Sequence, residues 1–451
     1  MKPPKPNRAQ SKPGHTPRPQ NKTAQPDKRT LTIEKPIYGG SFLAREQNKA
    51  IFVPLTLPGE QARVRILQDK GKRGYATAEV EEILTAAPQR VLPGCRHFGI
   101  CGGCQYQHAS YQAQLALKQA VLRETLERGG VAAPADIAVL AGQPWGYRNR
   151  IRVALDAAGN PGYRGRRSHA IVPIAECPIA APMLVQSALV AAQIARQIGP
   201  ALRPTELALF CDANETSLLM SIFVASAAKF RLEDFAVAMQ ERIPALAGIE
   251  LVAEGPEGHP QRILAQWGVG SLTYRAAGFD YRVDHGAFFQ VNRWLVDALV
   301  DRVTVNYSGA LAWDLFAGVG LFARRLTGNF SRVVAVESAP SAISALEANL
   351  TGTTGTAVRA STLEFLSRNH KEERPDLIVV DPPRTGLGAE ITSHLTEIAS
   401  PDLEYVSCDP ATLARDLRLL LASGYAIESI KLADLFPQTF HIETVVQLRR
   451  S

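Results

Sequence analysis

The sequence predicts an α/β protein in three parts: a small β-barrel, a central α+β region that gathers cysteines, and a C-terminal doubly wound parallel sheet. Three observations predict it. From Leu31 to about Pro88, short apolar runs alternate with polar residues and are broken by "PGE" and "DKGKRG", as in the half-buried strands of a small barrel. In "CRHFGICGGCQYQH", Cys95, Cys101 and Cys104 crowd into one loop-like stretch. Beyond Asp284, "LAWDLF", "RVVAVE", "PDLIVVD" and "LEYVSC" are short apolar strands, each followed by a helix-like stretch. That alternation reads as a parallel sheet with helices on both faces. The expected divisions are a basic tail at 1–30, the barrel at 31–90, the central region at 91–283 and the parallel sheet at 284–451.

With 451 residues the chain is too long for one core. It has no apolar run long enough to span a membrane and no N-terminal signal-peptide pattern. A cytoplasmic monomer is expected, in which six cysteines bind metal, do chemistry or fill the core rather than form disulfides. The first thirty residues hold eight Lys/Arg and one Asp, so the whole net charge of +7 sits in that tail. Its seven prolines and lack of large apolar residues predict disorder. It reads either as a solubilising extension or as an electrostatic arm for nucleic acid.

In the barrel, "LTIEKPIYGGSFLAR" and "FVPLTLPGE" resemble the TRAM module, which implies RNA binding. After the cysteines, "SYQAQLALKQAVLRETLERGG" predicts a helix over 111–128 stopped by two glycines. This helix is a candidate to pack on the catalytic part. "YRNRIRVALDAAGNPGYRGRRSHAIV" predicts a hairpin around "AAGNPG". Arg148, Arg150 and Arg152 alternate along its first strand and so share one face. With Arg164, Arg166 and Arg167 beyond the turn, they form a basic ribbon on an otherwise neutral body. RNA contact is the favoured reading; a solvated edge strand is the alternative. A mixed α/β segment fills about 181–278.

"WDLFAGVGLFARRL" sets Asp314, Gly318 and Gly320 after a strand expected to end at Phe316. Glycines there let the backbone turn tightly against a ligand. The next strand ends in an acid, Glu337, which can accept hydrogen bonds from ribose hydroxyls. A third glycine for a pyrophosphate is missing. S-adenosylmethionine, which has no phosphate, fits better than a dinucleotide.

Three later segments are expected at strand ends of the same sheet: Asp381 in "VVDPPRTGL", Cys408 in "YVSCDPATLARDL" and Glu443 in "FPQTFHIETV". Cys408 leaves a strand into a helix start, where helix-end amides favour a thiolate. His441 is expected as a structural neighbour of Glu443. A cysteine nucleophile, a carboxylate base and a sulfonium methyl donor suit methylation of uracil at carbon 5. That carbon becomes nucleophilic only after a thiolate adds to carbon 6.

In this order, "DHGAFFQVN", "DLFAGVG", "VVAVE", "DPPRTGL", "YVSCDPATLARD" and "FPQTFHIETV" resemble the RNA uracil-C5 methyltransferase family. The resemblance covers nearly everything after the tail. It implies a Rossmann-like catalytic domain, Cys408 as nucleophile and Glu443 as general base. It further implies Gln290, Phe316, Glu337 and Asp381 as S-adenosylmethionine contacts, with Asp381 also near the target base. Ala317 and Leu321 depart from the family pattern.

Of the six cysteines, Cys211 lies in a probable core strand, which leaves Cys177 as a fourth thiolate beside Cys95, Cys101 and Cys104. The spacing C-x5-C-x2-C with one remote cysteine suits an iron–sulfur cluster better than zinc, which tends to use close pairs. Zinc stays open as the alternative. The family's ribosomal branch is similar, with a [4Fe–4S] cluster and a TRAM module. That resemblance implies 23S rRNA as the partner, with the tRNA T-loop as the alternative and a noncatalytic RNA-binding protein as a more distant one.

Overall fold

The structure is a computed structural model that describes residues 27–71, 74–134, 136–225, 231–253, 255 and 262–450. Strands β1 (Lys28–Ile37), β2 (Ser41–Glu46), β3 (Lys49–Pro54), β4 (Gln61–Asp69) and β5 (Ala76–Thr85) close into a barrel in the order β1-β2-β3-β5-β4. Alternate residues point inward and bury Ile33, Phe42, Ile51, Val53 and Val64. Closure removes the sheet edges. The expected tail at 1–30 lies outside the described residues up to 26. Its last part is corrected: Lys28–Thr30 are strand, paired with Arg63–Arg65.

Helix α1 (Tyr111–Arg128) starts on Ser110, whose hydroxyl accepts from the Ala113 amide. It is followed by β6 (Ala138–Leu140). The central sheet is built from β7 (Arg150–Leu155), β8 (Pro161–Arg164), β9 (Ile171–Pro173), β10 (Pro204–Cys211), β11 (Leu218–Val224), β12 (Leu246–Ala253) and β13 (Arg262–Gly268). Its order is β13-β12-β11-β10-β7-β8-β9. Helices α2 (Pro182–Ile198) and α3 (Leu232–Gln240) cover one face, and the core there includes Leu184, Phe235, Met220 and Cys211.

A hairpin, β14 (Ser271–Ala276) and β15 (Phe279–Asp284), comes next. The catalytic part continues with α4 (Val296–Thr304), β16 (Gly309–Leu315), α5 (Leu321–Leu326), β17 (Phe330–Glu337), α6 (Pro340–Leu350), β18 (Gly355–Arg359), α7 (Thr362–Asn369), β19 (Leu377–Val380), α8 (Gly388–Ile398), β20 (Asp402–Ser407), α9 (Pro410–Ala422), β21 (Tyr425–Ala433) and β22 (Glu443–Arg450). Its sheet runs β18-β17-β16-β19-β20-β22-β21-β6. β16 to β20 are parallel, and β22 is antiparallel to both neighbours. The order reverses between β16 and β19, which opens a crevice at the carboxyl ends of those strands. Among the described residues no helix is long and apolar enough to cross a membrane.

Parity along the strands decides what each face meets. In β16 and β17, Ala312, Val333 and Ala335 join a core with α4, α5 and α6, while Trp313, Leu315, Val334 and Val336 join one with α7, α8 and α9. That second core also contains Val121, Leu122 and Leu126 of α1. So α1 and β6 are physically part of the C-terminal sheet, although 156 residues separate the end of α1 from the end of β15 in between. The division at 283/284 is corrected as well. Leu272, Tyr274, Tyr281 and Val283 of the hairpin are buried in the catalytic core. The Tyr281 hydroxyl donates to the Leu321 carbonyl at 3.1 Å, and the Arg282 amide to Asn349 Oδ1 at 2.7 Å.

Helix α1 carries one buried charge. Lys118 Nζ donates to Asp434 Oδ1 at 2.6 Å and to the Phe436 carbonyl at 2.9 Å. Both side chains are almost wholly excluded from solvent. Removing one partner of such a pair strands the other without water, which typically costs about 3–5 kcal/mol. Lys118→Ala is therefore expected to lower stability by about that much in urea unfolding followed by tryptophan fluorescence. Arg63→Ala, which breaks a half-exposed pair with Glu82, is expected to cost under about 1 kcal/mol. Equal losses in the two variants would mean that the buried pair does not hold the helix down.

Candidate active site

The crevice collects the expected residues from six places. Phe316 follows β16, Glu337 ends β17, Asp381 follows β19 and Cys408 follows β20. Gln290 comes from the loop after β15. Glu443 does not end a strand, as the sequence reading had it; it begins β22. Because β22 runs antiparallel, its first residue arrives where β20 ends. Ser407 pairs with Thr444, so the next position outward sets Cys408 against Glu443.

The glycine turn is built as a cradle. Phe316 takes a left-handed φ of 65°, off the end of β16 rather than within it, and Gly318 a φ of 57°. Nothing stands within 4 Å of where a Gly318 Cβ would project. A Cβ on Gly320 would come within 2.6 Å of Leu346, so that glycine serves helix packing. Glu337 Oε2 accepts the Gly318 amide at 2.8 Å, and Oε1 accepts the amides of Ser338 and Ala339. This fixes a carboxylate at the rim of the cavity lined by Phe288, Gln290, Phe316, Gly318, Val319 and Asp381. An acid beside an open glycine turn fits a ribose, and the apolar wall fits an adenine and a thioether or sulfonium chain. The residues present thus fit S-adenosylmethionine.

Carboxylates crowd the floor. Gln290 Nε2 donates to Asp381 Oδ2 at 3.4 Å. Burial pushes Asp381 up to about 7. Burial and the charge of Asp381 push Glu443 well above the ordinary range, against the opposing pull of Arg384. Asp314, fully buried, accepts the Ala323 amide through Oδ2, while its Oδ1 has no partner. Burial takes it up to about 8, with Asp381 and Glu337 adding repulsion.

Cys408 departs from expectation. Burial, then the charges of Glu443 and Asp381, push its thiol up to about 12. The free amides of α9 are spent elsewhere: Asp409 Oδ1 accepts from Ala411 and Thr412. The helix end therefore caps itself, and the resting nucleophile is a thiol. Arg384, noted in sequence only for what it replaces, is the cation beside this group, and its Nη2 lies 3.2 Å from His441 Nδ1. The barrel also reaches the rim, which no motif announced. The Tyr38 hydroxyl donates to Asp409 Oδ2 at 3.2 Å, and its ring meets Phe440 edge-on.

Cys95, Cys101, Cys104 and Cys177 line one cavity of about 520 Å³, together with Arg148, Arg384, Phe440 and His441. Burial raises Cys101, Cys177 and Cys104, the last to about 12. The four thiols are half-buried around this cavity. Among the described residues no three of these sulfurs lie within 4.8 Å of one another. A single tetrahedral zinc would draw its sulfurs to about 3.8 Å apart. A cubane, with an iron at each attachment point, spreads them wider. Four thiols around one cavity are a donor set that fits a thiolate-held metal centre.

The basic ribbon is only partly a surface. Arg148 is turned into the wall between the cysteine cavity and a second cavity of about 410 Å³. Arg150 and Arg152 line that second cavity, stacked over Phe210 at 4.6 Å and over Phe223 at 4.5 Å. Arg152 also pairs with Glu206, and Arg166 with Glu79 of the barrel.

Residues 267–451 match the family model described as tRNA (Uracil-5-)-methyltransferase, and residues 27–80 match the TRAM domain. The 23S rRNA (uracil(1939)-C(5))-methyltransferase RlmD of Klebsiella pneumoniae is 32% identical, over 93% of this chain and 95% of its own. An uncharacterized RNA methyltransferase of Streptomyces avermitilis is also 32% identical, over 91% and 95%. Among solved structures, the Pyrococcus abyssi tRNA (uracil-54, C5)-methyltransferase in complex with S-adenosyl-L-homocysteine aligns with a TM-score of 0.75 at 23% identity. That alignment covers 93% of this chain and all of the other.

Asp314 gives a pH test of the site's electrostatics. Its acid constant is about 8 in the fold against an ordinary 3.8. The folded chain keeps this proton where the unfolded chain loses it. Stability from the neutral carboxyl is therefore complete below about 4 and is lost as pH rises through about 8. Asp314→Asn removes this dependence. Between pH 5 and 9, the melting temperature of wild type is expected to fall more steeply than that of Asp314→Asn. Parallel curves would place the titration elsewhere.

Proposed function

Because the chain belongs to the RNA uracil-C5 methyltransferase family, which uses S-adenosylmethionine, we propose that it methylates one uridine of 23S rRNA through a covalent bond between Cys408 and carbon 6. The observation that carries the chemistry is the register of β20 and β22, which sets a thiol against a buried carboxylate, with a second carboxylate just past β19 beside them. The ribosomal substrate is supported by the near full-length likeness to an enzyme of that description and by the barrel and four-cysteine cavity built around the site.

Each residue has a defined task in this reading. The Cys408 thiol adds to carbon 6, and its proton passes to Asp381, whose constant near 7 suits the transfer. Protonated Asp381 then donates to the enolate oxygen that forms on the ring. Bound S-adenosylmethionine supplies a methyl group on a sulfonium, held at Glu337, Gln290, Phe316 and the Gly318 turn. Once carbon 5 carries that methyl group, Glu443 removes the carbon 5 proton. Its raised constant makes it a stronger base than an exposed carboxylate. The carbon 6–sulfur bond breaks, and the Cys408 thiolate regains its proton from Asp381. One proton leaves from Glu443 to water.

Cys95, Cys101, Cys104 and Cys177 hold a [4Fe–4S] cluster in this reading. Its chemistry is structural: it ties the loop before α1 to the segment after the hairpin, and it gives the buried Arg148 an anionic partner. Arg150 and Arg152, on their aromatic supports, contact RNA phosphates or bases.

Methyl transfer from labelled S-adenosylmethionine to unmodified 23S rRNA and to unmodified tRNA, with mapping of the product, tests the substrate. Label in the T-loop of tRNA alone would reassign it. On the true substrate, Cys408→Ala is expected to abolish transfer. Glu443→Gln is expected to transfer the methyl group but stall, accumulating a protein–RNA adduct that survives denaturing electrophoresis. Turnover at the wild-type rate by either variant would remove that residue from its role. Anaerobically purified protein is expected to be brown with about four irons per chain, and Cys177→Ser is expected to lose most of them. One zinc and no sulfide would replace the cluster in this account.

A further inference from the structure

We propose that His370, His394 and Glu397 form a binding site for one divalent transition-metal ion, of the kind that zinc represents, at the sheet edge opposite the reaction. Each residue offers one ligand atom, and these atoms lie within 4.8 Å of one another. His370 caps the C-terminus of α7, and His394 and Glu397 stand three residues apart on one face of α8. Both helices run back from the catalytic crevice, so the cluster lies far from Cys408 in the layer.

The hydrogen bonds argue for a cation between these groups. His370 Nδ1 lies 2.8 Å from the Leu366 carbonyl. A carbonyl only accepts, so Nδ1 carries a proton and the ring turns Nε2 toward Glu397. That Nε2 lies 3.2 Å from Glu397 Oε2. The Nδ1 of His394 is buried with no partner, and its ring sits 4.4 Å from that of His370. A metal ion satisfies all three. A tetrahedral ion bound at about 2.0–2.2 Å holds its nitrogen and oxygen ligands roughly 3.3–3.6 Å apart, close to the separation between Nε2 and Oε2. Fixing the far ring nitrogen on a carbonyl is also how ligating histidines are oriented. Glu397 is half-exposed, so the fourth position opens to water.

Such an ion would staple α7 to α8. Helix α8 begins at Gly388, just past the loop that carries Asp381 and Arg384. The site is therefore a brace behind the catalytic loop and takes no part in the reaction.

The test uses cluster-loaded, full-length protein and the metal alone. Zinc chloride titrated by calorimetry is expected to bind at one equivalent and to raise the melting temperature. Cobalt chloride is expected to give only weak visible bands, without the intense near-ultraviolet band of cobalt–thiolate bonding that the cysteines would produce. His394→Ala and Glu397→Gln are each expected to weaken binding by at least about tenfold and to abolish the thermal shift. Methyl transfer without added metal should stay unchanged. Glu397→Gln replaces a half-exposed group and so remains informative if His394→Ala folds poorly. No zinc binding by wild type, a thiolate band with cobalt, or undiminished affinity in Glu397→Gln would each overturn the site.

Discussion

The segment from Asp434 to Phe440 governs the rest of the molecule, because it delivers Glu443 to Cys408 and has no regular structure to hold it. It is fixed from three directions. From α1, Lys118 binds Asp434 and the Phe436 carbonyl, and Gln114 exchanges hydrogen bonds with both the side chain and the amide of Gln438. From the cysteine loop, the amides of Gln105 and Tyr106 donate to the Gln438 carbonyl. From the central and linking regions, the Tyr147 hydroxyl and Asn292 hold the carbonyls of Pro437 and Leu435. A Gln438 φ of 69° is tolerated because so many bonds over-determine it. The cysteine loop thus bears directly on the base, so what stabilises that loop also steadies Glu443.

The electrostatics follow from the same crowding. Sheet order brings Asp314, Asp381 and Glu443 to one edge, and burial leaves little water to separate their charges. Such a group of carboxylates cannot all ionise together. The cost in stability is the means of holding protons where the reaction needs to move them. The positive charge of Arg384 is felt by both Cys408 and Glu443, and it opposes the upward pressure on each. Its position at the cavity mouth, against His441, links this balance to the wall of the cysteine cavity.

The fold class was legible because its signals are local. Apolar strands followed by glycines and acids announced the parallel sheet and its nucleoside crevice, and Ser110 with Gly129–Gly130 announced α1 nearly to the residue. Cys408 and Glu443 were legible as a pair only through family motifs; the antiparallel register that makes them neighbours is a long-range fact. What stayed hidden was of that kind too. Nothing in "YQAQLALKQAVLRE" tells that Lys118 will be buried, since its partner lies beyond the whole central sheet. The alternation of Arg148, Arg150 and Arg152 was read correctly as one face, but periodicity cannot say whether a face meets water, an aromatic ring or a cavity wall. The thiol state of Cys408 was misjudged because a helix start was counted as free donors, whereas Asp409 had already claimed them.

The placement of α1 and β6 in the catalytic sheet has a consequence for how the chain is made. Lys118 and Asp434 are 316 residues apart, and Gln114 and Gln438 are 324 apart. At roughly 5–20 residues per second on the ribosome, α1 is complete some tens of seconds before its partners exist. Val121, Leu122 and Leu126 have no core to enter during that wait. The barrel and the central sheet can close early, but the catalytic layer can be sealed only when β21 and β22, the last strands to emerge, settle between β20 and β6. A nascent chain stopped before β21 and β22 therefore exposes the apolar side of α1 as well as an unfinished sheet. Synthesis errors at the C-terminus are thereby displayed on an element made long before, where holding chaperones and proteases can find them.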